Sequence, residues 1–489
     1  MTEQQNHREE KRPFQSQKPV FRGTQESPRR PMPGSKRPAT SRKTARDAAL
    51  KSLQEVVRGG AYASQALSRQ LNDSGLSPED KRLATGIFYF AAENRLRIRY
   101  ALAKFLQTNA DPVTEDILHI AAAQILFMDK IPDHAAVDEA VKQARASGRE
   151  GLTGLVNGVL RSLLRARDAG EDLLPNRDDD SMEYLSVRYS VSLHIVKRLV
   201  SAYGEQMAEN IMAYAPEERS RAVVRPNTLA ISPDEFEQWL THRNFHWEKS
   251  DVRNAYIITS GGDLSYLDSY KRGYFSMQGE SSMLAAYACL PKPGMQILDA
   301  CAAPGGKSAL LCEEMRGTGR VYAWDVHEHR VELIRAAGKR LSLDNLRPSV
   351  RDARAPYAPF EYLMDAVLVD APCSGLGVIS DKPDIKYRLS EESLASLAPL
   401  QAEILENCAR FVKVDGLLVY STCTILPEEN EKQVLDFQKR HPEFVPDEND
   451  EWLPERLRGM YRNGMAQFLS CRDGVEGFFI ARMRRKSLT

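Results

Sequence analysis

Asp299-Ala300-Cys301-Ala302-Ala303-Pro304-Gly305-Gly306-Lys307 decides how the rest of this chain is read. A Pro-Gly turn and a short apolar run at 295–298 precede it, and 308–311 read as the opening of a helix. The order strand, small-residue loop, helix brings backbone N–H groups and a helix N-terminus up to a nucleotide-like ligand. Gly305 and Gly306 remove the side chains that would block the approach. Cys301, Ala302, Ala303, Pro304, Gly305, Gly306 and Lys307 are therefore a candidate cradle. A tight turn without a ligand uses the same small residues, so the loop does not settle the matter alone.

The residues downstream sharpen the reading. Strand-like runs at 321–324, 346–350, 366–369 and 417–420 alternate with amphipathic helices that start at Glu328, Glu391 and Glu428. This alternation predicts a doubly wound, mainly parallel sheet of Rossmann-like type, in which ligands bind beyond the carboxyl ends of the strands. Asp299 closes the first strand and Asp325 the second, the latter about twenty residues past the glycines, where a carboxylate takes ribose hydroxyls. Asp352 follows the third strand and could accept from an adenine amino group. A single strand-end Asp is often only a helix cap. Three in register are hard to explain as caps, and they point to an adenosine-bearing ligand with a neighbouring charge, as in S-adenosylmethionine.

The fourth and fifth strands end in thiols: Asp370-Ala371-Pro372-Cys373-Ser374-Gly375 follows one, and Ser421-Thr422-Cys423-Thr424 the other. Cys289, Cys312 and Cys408 read as buried structural cysteines. Cys373 and Cys423 fall on the same edge as the cradle. Two thiols, an acid and a methyl donor match one chemistry. Carbon 5 of cytosine is too poor a nucleophile to attack a sulfonium methyl group, but a thiolate adding at carbon 6, with a carboxyl group at N3, turns it into an enamine-like nucleophile. A base must then remove the carbon 5 proton so that the first thiol can leave. The residues alone do not say which thiol plays which part.

Composition limits the remaining possibilities. A chain of 489 residues holds two to four domains. With 42% hydrophobic residues, no apolar run near the length of a membrane span and no visible secretory signal, it is expected to be a cytoplasmic protein without membrane contact. Its seven cysteines lie between 289 and 471 with no Cys-x-x-Cys spacing, which argues against a disulfide framework or a metal. A net charge of zero means that any nucleic-acid surface is a local patch.

Residues 1–43 are basic, polar and poor in aliphatics, and are expected to form a disordered tail. From 44 to 170 the pattern is helical: Leu50, Leu53, Val57 and then Leu67, Leu71 recur at three- and four-residue steps across Gly59-Gly60. Ser77-Pro78-Glu79-Asp80 and Asp111-Pro112 have the form of helix starts, and further helices are expected from His134 and Leu152. This predicts an all-α domain. Arg95, Arg97, Arg99, Arg161, Arg165 and Arg167 are either phosphate contacts or a solvated face, and His134 reads as a capping or core histidine. Residues 171–270 read as a linker and a small α/β module, with helices at 182–203 and 206–214, a strand at 222–228 and a helix at 233–240; 271–489 form the catalytic domain.

Two resemblances add to this. Gly60-Ala61-Tyr62-Ala63, Asp80-Lys81-Arg82, the stretch from Phe127 through Asp133-His134 to Val137, and Gly154-Leu155-Val156-Asn157-Gly158-Val159-Leu160-Arg161 resemble the NusB family of RNA-binding helical domains, in the variant fused to ribosomal RNA methyltransferases. The cradle, Asp370 to Gly375 with Gly377 and Lys382-Pro383-Asp384-Ile385-Lys386, and Ser421 to Thr424 with Pro427-Glu428-Glu429-Asn430-Glu431 resemble RNA cytosine-5 methyltransferases of the Nol1/Nop2/Sun class. The resemblance implies that Cys423 attacks, Cys373 releases, Asp370 serves the N3 side of the base, and Lys307 acts on site electrostatics or holds Asp370. Asp325, Asp352 and Asp370 with the cradle would hold S-adenosylmethionine. In the connecting module, the resemblance would place Arg225 and Asn227 toward RNA, although they could equally be a strand end and turn. The fused helical domain narrows the implied substrate to small-subunit (16S) ribosomal RNA, by analogy its cytosine 967, acted on by a monomer. Such a target must be looped or flipped out, because a stacked cytosine hides carbon 6. The rival readings are an assembly factor that binds RNA without reacting, a cytosine-5 methyltransferase acting on another RNA, and an amino-group methyltransferase. The last would want an Asn- or Asp-Pro-Pro-Tyr type motif where Asp-Ala-Pro-Cys stands.

Overall fold

Ser77 and Asp111 start helices in the way their sequence contexts require. In the computed structural model, the Ser77 side chain accepts from Asp80 N–H ahead of helix Pro78–Glu93, and Asp111 accepts from Val113 N–H ahead of helix Pro112–Phe127. The structure describes residues 43–487 except 73, 107–109, 216–221, 260–263, 381, 383–384 and the side chain of Tyr387. The tail expected over 1–43, but for its last residue, lies outside the described residues, as do Pro383 and Asp384.

Helices Ala45–Val57, Ala63–Asn72, Pro78–Glu93, Arg95–Ala103, Pro112–Phe127, Asp133–Ala146 and Thr153–Asp168 share one core built on Phe88, Ile98, Ile117, Leu118, Val156 and Leu160. Alanines 91, 92, 101 and 121–123 let the helix backbones approach closely. Helix Pro112–Phe127 is buried on nearly all sides and forms the centre of the bundle. Of the arginines singled out above, Arg97 lies 5.1 Å from the Phe127 ring and Arg167 pairs with Asp133 at 2.7 Å, both structural contacts. Arg99, Arg161 and Arg165 are exposed. His134 is exposed in the first turn of its helix and neither caps it nor enters the core.

The single helix expected at 182–203 is two, Ser181–Tyr189 and Leu193–Tyr203, because Ser190 takes a left-handed conformation (φ 56°) between them. Its hydroxyl accepts from Leu96 N–H at 2.7 Å, which ties this segment to the bundle. Among the described residues a four-stranded antiparallel sheet follows, in the order Trp247–Lys249, Tyr256–Ile258, Ala222–Pro226, Phe275–Met277. Helix Pro233–His242 covers it through Phe236 and Trp239. Here the expectation for Arg225 and Asn227 is corrected. Both are buried: Arg225 is paired with Glu313 and donates from Nε to the Gln278 side-chain oxygen at 2.7 Å, and Asn227 donates to the carbonyls of Gly273 and Leu341. They fasten the module to the catalytic domain and do not face RNA.

The second sheet, nine-stranded among the described residues, carries the cradle. Its parallel part runs Leu346–Val350, Arg320–Asp325, Gln296–Asp299, Met364–Asp370, Val412–Thr422 in space, so the first and fourth strands in chain order are neighbours at its centre. That reversal of winding is the topological switch point at which doubly wound sheets open a crevice for ligands. Strand Phe478–Arg485 closes against Val412–Thr422 in antiparallel fashion, and Met465–Phe468, Tyr461–Arg462 and Phe444–Pro446 extend this side. The helix expected from Glu428 runs Glu431–Arg440, which leaves 427–430 as a turn. Among the described residues, no helix is long and apolar enough to cross a membrane.

Candidate active site

Parallel pairing puts every strand-end group of interest on one edge. Asp299 stands in register with Ala323 and Leu368, and Asp370 with Ser421. The structure therefore brings the cradle, the acids and the two thiol loops together.

In the cradle, Ala302 N–H donates to the Trp324 carbonyl at 2.7 Å and Gly305 N–H to the Ala302 carbonyl at 2.8 Å, across a cis Ala303–Pro304 peptide. Gly305 has φ +104°, and a Cβ there would meet Ile334 at 3.3 Å, so the turn requires glycine. Helix Gly306–Glu314 starts at once, and its first N–H groups have no partner within the helix. Cys301 and Ala303 are half-buried, Ala302 is buried and Pro304 exposed. Burial pushes the Cys301 thiol up, so it stays protonated.

The three acids differ. Asp299 is fully buried; one oxygen accepts from Ser308 Oγ at 2.6 Å and the other has no partner. Burial lifts its pKa to about 7, against the opposing hydrogen bond from Ser308. Asp325 accepts from His327 N–H at 3.1 Å and lies 3.1 Å from Arg330, which also donates to the Ala303 carbonyl. Arg330, which sequence reasoning missed, thus links the second strand tip to the cradle; nothing but its place two residues into a helix would have marked it. Asp352 is already committed to Arg354, whose Nε and backbone N–H it receives at 3.0 and 2.9 Å and which holds its pKa down.

Lys307 reaches across the switch point. Its Nζ lies 2.8 Å from Asp370 Oδ2, while Ser421 Oγ donates to Asp370 Oδ1 at 2.8 Å. Burial alone would lower the lysine pKa, but the Asp370 carboxylate more than offsets it and the ammonium is retained. Beside this pair, Cys373 Sγ and Cys423 Sγ are 3.3 Å apart, a distance at which one proton is shared. Each thiol's shift comes first from this bond, which favours the charged form at Cys423 and the neutral form at Cys373. Lys382 and Lys307 pull the charge toward Cys423, and Glu429 and Asp370 push it away from Cys373.

The loop after Cys373 rests on the other thiol's backbone. Gly377 N–H donates to the Cys423 carbonyl at 3.0 Å, and a Cβ on Gly377 would overlap Gly477 O at 1.9 Å. Beneath the thiols lies a polar knot of Ser374, Gln401, Thr424, Glu429 and Asn430, all buried. The signal for it was the Glu429-Asn430 pair so soon after Thr-Cys-Thr, in a stretch read only as part of a motif and as a helix start.

The sequence matches the family described as 16S rRNA methyltransferase RsmB/F over residues 286–484, and the NusB family over 43–165. A "probable ribosomal RNA small subunit methyltransferase B" of Bacillus subtilis strain 168 is 36% identical over 447 residues, covering 90% of this chain and 98% of that one. One of the same description from Synechocystis sp. is 31% identical over 449 residues, covering 90% and 99%. The crystal structure of a protein called PH0851 superposes with a TM-score of 0.76 at 25% identity, covering 90% of this chain and 98% of that one. The chain belongs to the ribosomal RNA small subunit methyltransferase B family, with a NusB-family region ahead of an RsmB/F-type Rossmann-like catalytic region.

Proposed function

We propose that the protein methylates carbon 5 of a cytosine in small-subunit ribosomal RNA through a transient bond between Cys423 and carbon 6, with cytosine 967 of 16S RNA as the target by analogy. The observation that carries this reading is the pair of thiols 3.3 Å apart beside the Lys307–Asp370 ion pair, on the edge that holds the cradle. In this reading, 44–170 and the module at 171–270 engage the RNA around the target, and 271–489 carry out the reaction.

The residues fit S-adenosylmethionine. Gly305 offers backbone without a side chain, Asp325 faces the same edge as a buried acceptor, and the unpartnered oxygen of Asp299 is a buried acceptor awaiting a donor. When bound, such a donor supplies an electrophilic methyl group to carbon 5. Cys301, Ala302, Ala303, Pro304 and Gly306 complete the cradle, and Asp352 reaches the adenine only if it loosens its hold on Arg354.

Cys423, favoured as the thiolate, adds its sulfur lone pair to carbon 6, and the electrons of the 5,6 double bond move toward N3 and carbon 5. Asp370, which accepts from Lys307 Nζ and Ser421 Oγ, lies on the N3 side of the base in this reading and stabilises the proton that N3 takes from solvent in the adduct and returns when the 5,6 double bond re-forms. The proton formerly shared by the thiols stays on Cys373 and passes to solvent at this half-buried lip. Cys373 is then free to take the carbon 5 proton. The 5,6 double bond re-forms as the Cys423–carbon 6 bond breaks, and the nucleophile returns as thiolate.

The test is direct. Cys373→Ala, incubated with 16S RNA and S-adenosylmethionine, should accumulate a protein–RNA adduct that survives denaturation, and Cys423→Ala should give none. The reverse pattern would exchange the two thiols, and 5-methylcytosine absent from RNA treated with the unaltered protein would refute the reaction.

A further inference from the structure

Glu429 is 1% exposed, and among the described residues no lysine or arginine pairs with it. It is nevertheless well supplied with donors. Its Oε2 accepts from Ser374 N–H and from Gln401 Nε2, both at 2.9 Å, and its Oε1 accepts from Ser374 Oγ at 2.5 Å and more weakly from Thr424 Oγ1 at 3.3 Å. Ser374 and Thr424 also share a hydrogen bond of 2.6 Å, so the hydroxyls form a relay, Thr424 to Ser374 to the carboxylate. Ser374 directly follows Cys373 and Thr424 directly follows Cys423. One buried side chain thus fastens the residues next to both thiols, and its own backbone carbonyl is held by Tyr420 Oη at 2.7 Å.

We propose that Glu429 is a positioning residue that holds Cys373 against Cys423, and that it governs the release step more than the attack. This rests on the reading of the two thiols given above. The asymmetry follows from what else holds each loop. The Cys423 loop has an independent support in Asn430, which accepts from Thr422 Oγ1 at 2.5 Å and donates to the Thr424 carbonyl at 3.0 Å, while the bond from Gly377 N–H to the Cys423 carbonyl joins the two loops. The Cys373 loop hangs on Glu429 through both donors of Ser374, and through Gln401, which donates to the Pro372 carbonyl at 3.0 Å as well as to the carboxylate. A leucine at 429 removes both acceptor oxygens and leaves Ser374 N–H and Gln401 Nε2 without one, whereas a glutamine can keep its oxygen on these two donors and turn its NH2 group to the Ser374 and Thr424 hydroxyls, which can accept. Buried donors without acceptors would force the Cys373 loop to move.

Glu429→Leu is therefore expected to lower turnover ~100-fold with KM for RNA and for S-adenosylmethionine within about twofold, and to accumulate the denaturation-resistant adduct as Cys373→Ala does. Ser374→Ala, which keeps the carboxylate and removes one hydroxyl, should do the same at ~10-fold. A merely structural role would lose adduct and turnover together. Unchanged turnover in Glu429→Leu, or lost turnover without adduct in a protein that still binds RNA, would overturn the proposal. Should Glu429→Leu fail to fold, Ser374→Ala decides alone: adduct supports the proposal and its absence overturns it. Cys373→Ala and Cys423→Ala run alongside keep the two levels apart, since failure of Cys373→Ala to trap adduct counts against the thiol roles themselves.

Discussion

Asp111 in the helical region and Asp299 in the catalytic region are both aspartates at the end of an element, and they are treated in opposite ways. Asp111 collects Val113 N–H, Thr114 Oγ1 and the Arg149 guanidinium; burial pushes its pKa up, but these hydrogen bonds together outweigh it and bring it down to about 2. Asp299 is fully buried with a single donor, one oxygen unpartnered and a pKa pushed up to about 7. The helical region uses its polar groups to close its own helices. The sheet edge keeps polar groups that the fold leaves short of partners, which is the condition of a site built to receive something else.

The largest expected effect tests the first half of that contrast. Phe88 is fully buried in the helical core, and Phe88→Ala should cost about 3–5 kcal/mol of stability. The geometry of the thiol pair should be untouched, so at a temperature where the variant is folded, trapping of adduct in a Cys373→Ala background should persist. Loss of adduct in the folded protein would show that the two regions are not separable in this way.

Asp299→Asn comes next. A carboxyl group whose folded pKa is raised contributes its stability below the unfolded value near 3.9 and loses it as pH rises through about 7. Removing the charge should therefore leave stability at pH 4 nearly unchanged and raise it at pH 8, by on the order of 4 kcal/mol. Urea midpoints at the two pH values check this. A variant that tracks the unaltered protein across the whole range would mean that Asp299 finds a partner at high pH.

What could be read in the sequence follows the same division. Helix starts at Ser77 and Asp111 depend on residues two or three positions away, so local rules suffice. The parallel sheet was legible because each buried strand ends in a marked residue: Asp299, Asp325, Asp370. Whether Arg225 was an RNA contact or a strand end could not be decided, because its partners Gln278 and Glu313 are 53 and 88 residues distant and a lone arginine in a strand carries no sign of a buried carboxylate elsewhere. The knot on Glu429 was hidden for the same reason. Its donors come from 374, 401 and 424, and only the folded sheet places them around one carboxylate.

Asp111→Asn should give the smallest effect and the opposite sign of pH dependence. Asparagine can still accept from Val113 N–H, so the cap survives and what goes is the charge facing Arg149. That pair is about one-third exposed on both sides and partly screened, which limits the loss at pH 7 to about 1 kcal/mol. Because the folded pKa is depressed, this contribution is complete above the unfolded value near 3.9 and disappears as pH falls toward 2. The gap between the unaltered protein and Asp111→Asn should thus close on acidification, whereas the gap for Asp299→Asn opens as pH rises. A gap at Asp111 that stays constant down to pH 2 would place its contribution in the neutral cap alone, and the electrostatic half of the comparison would fall.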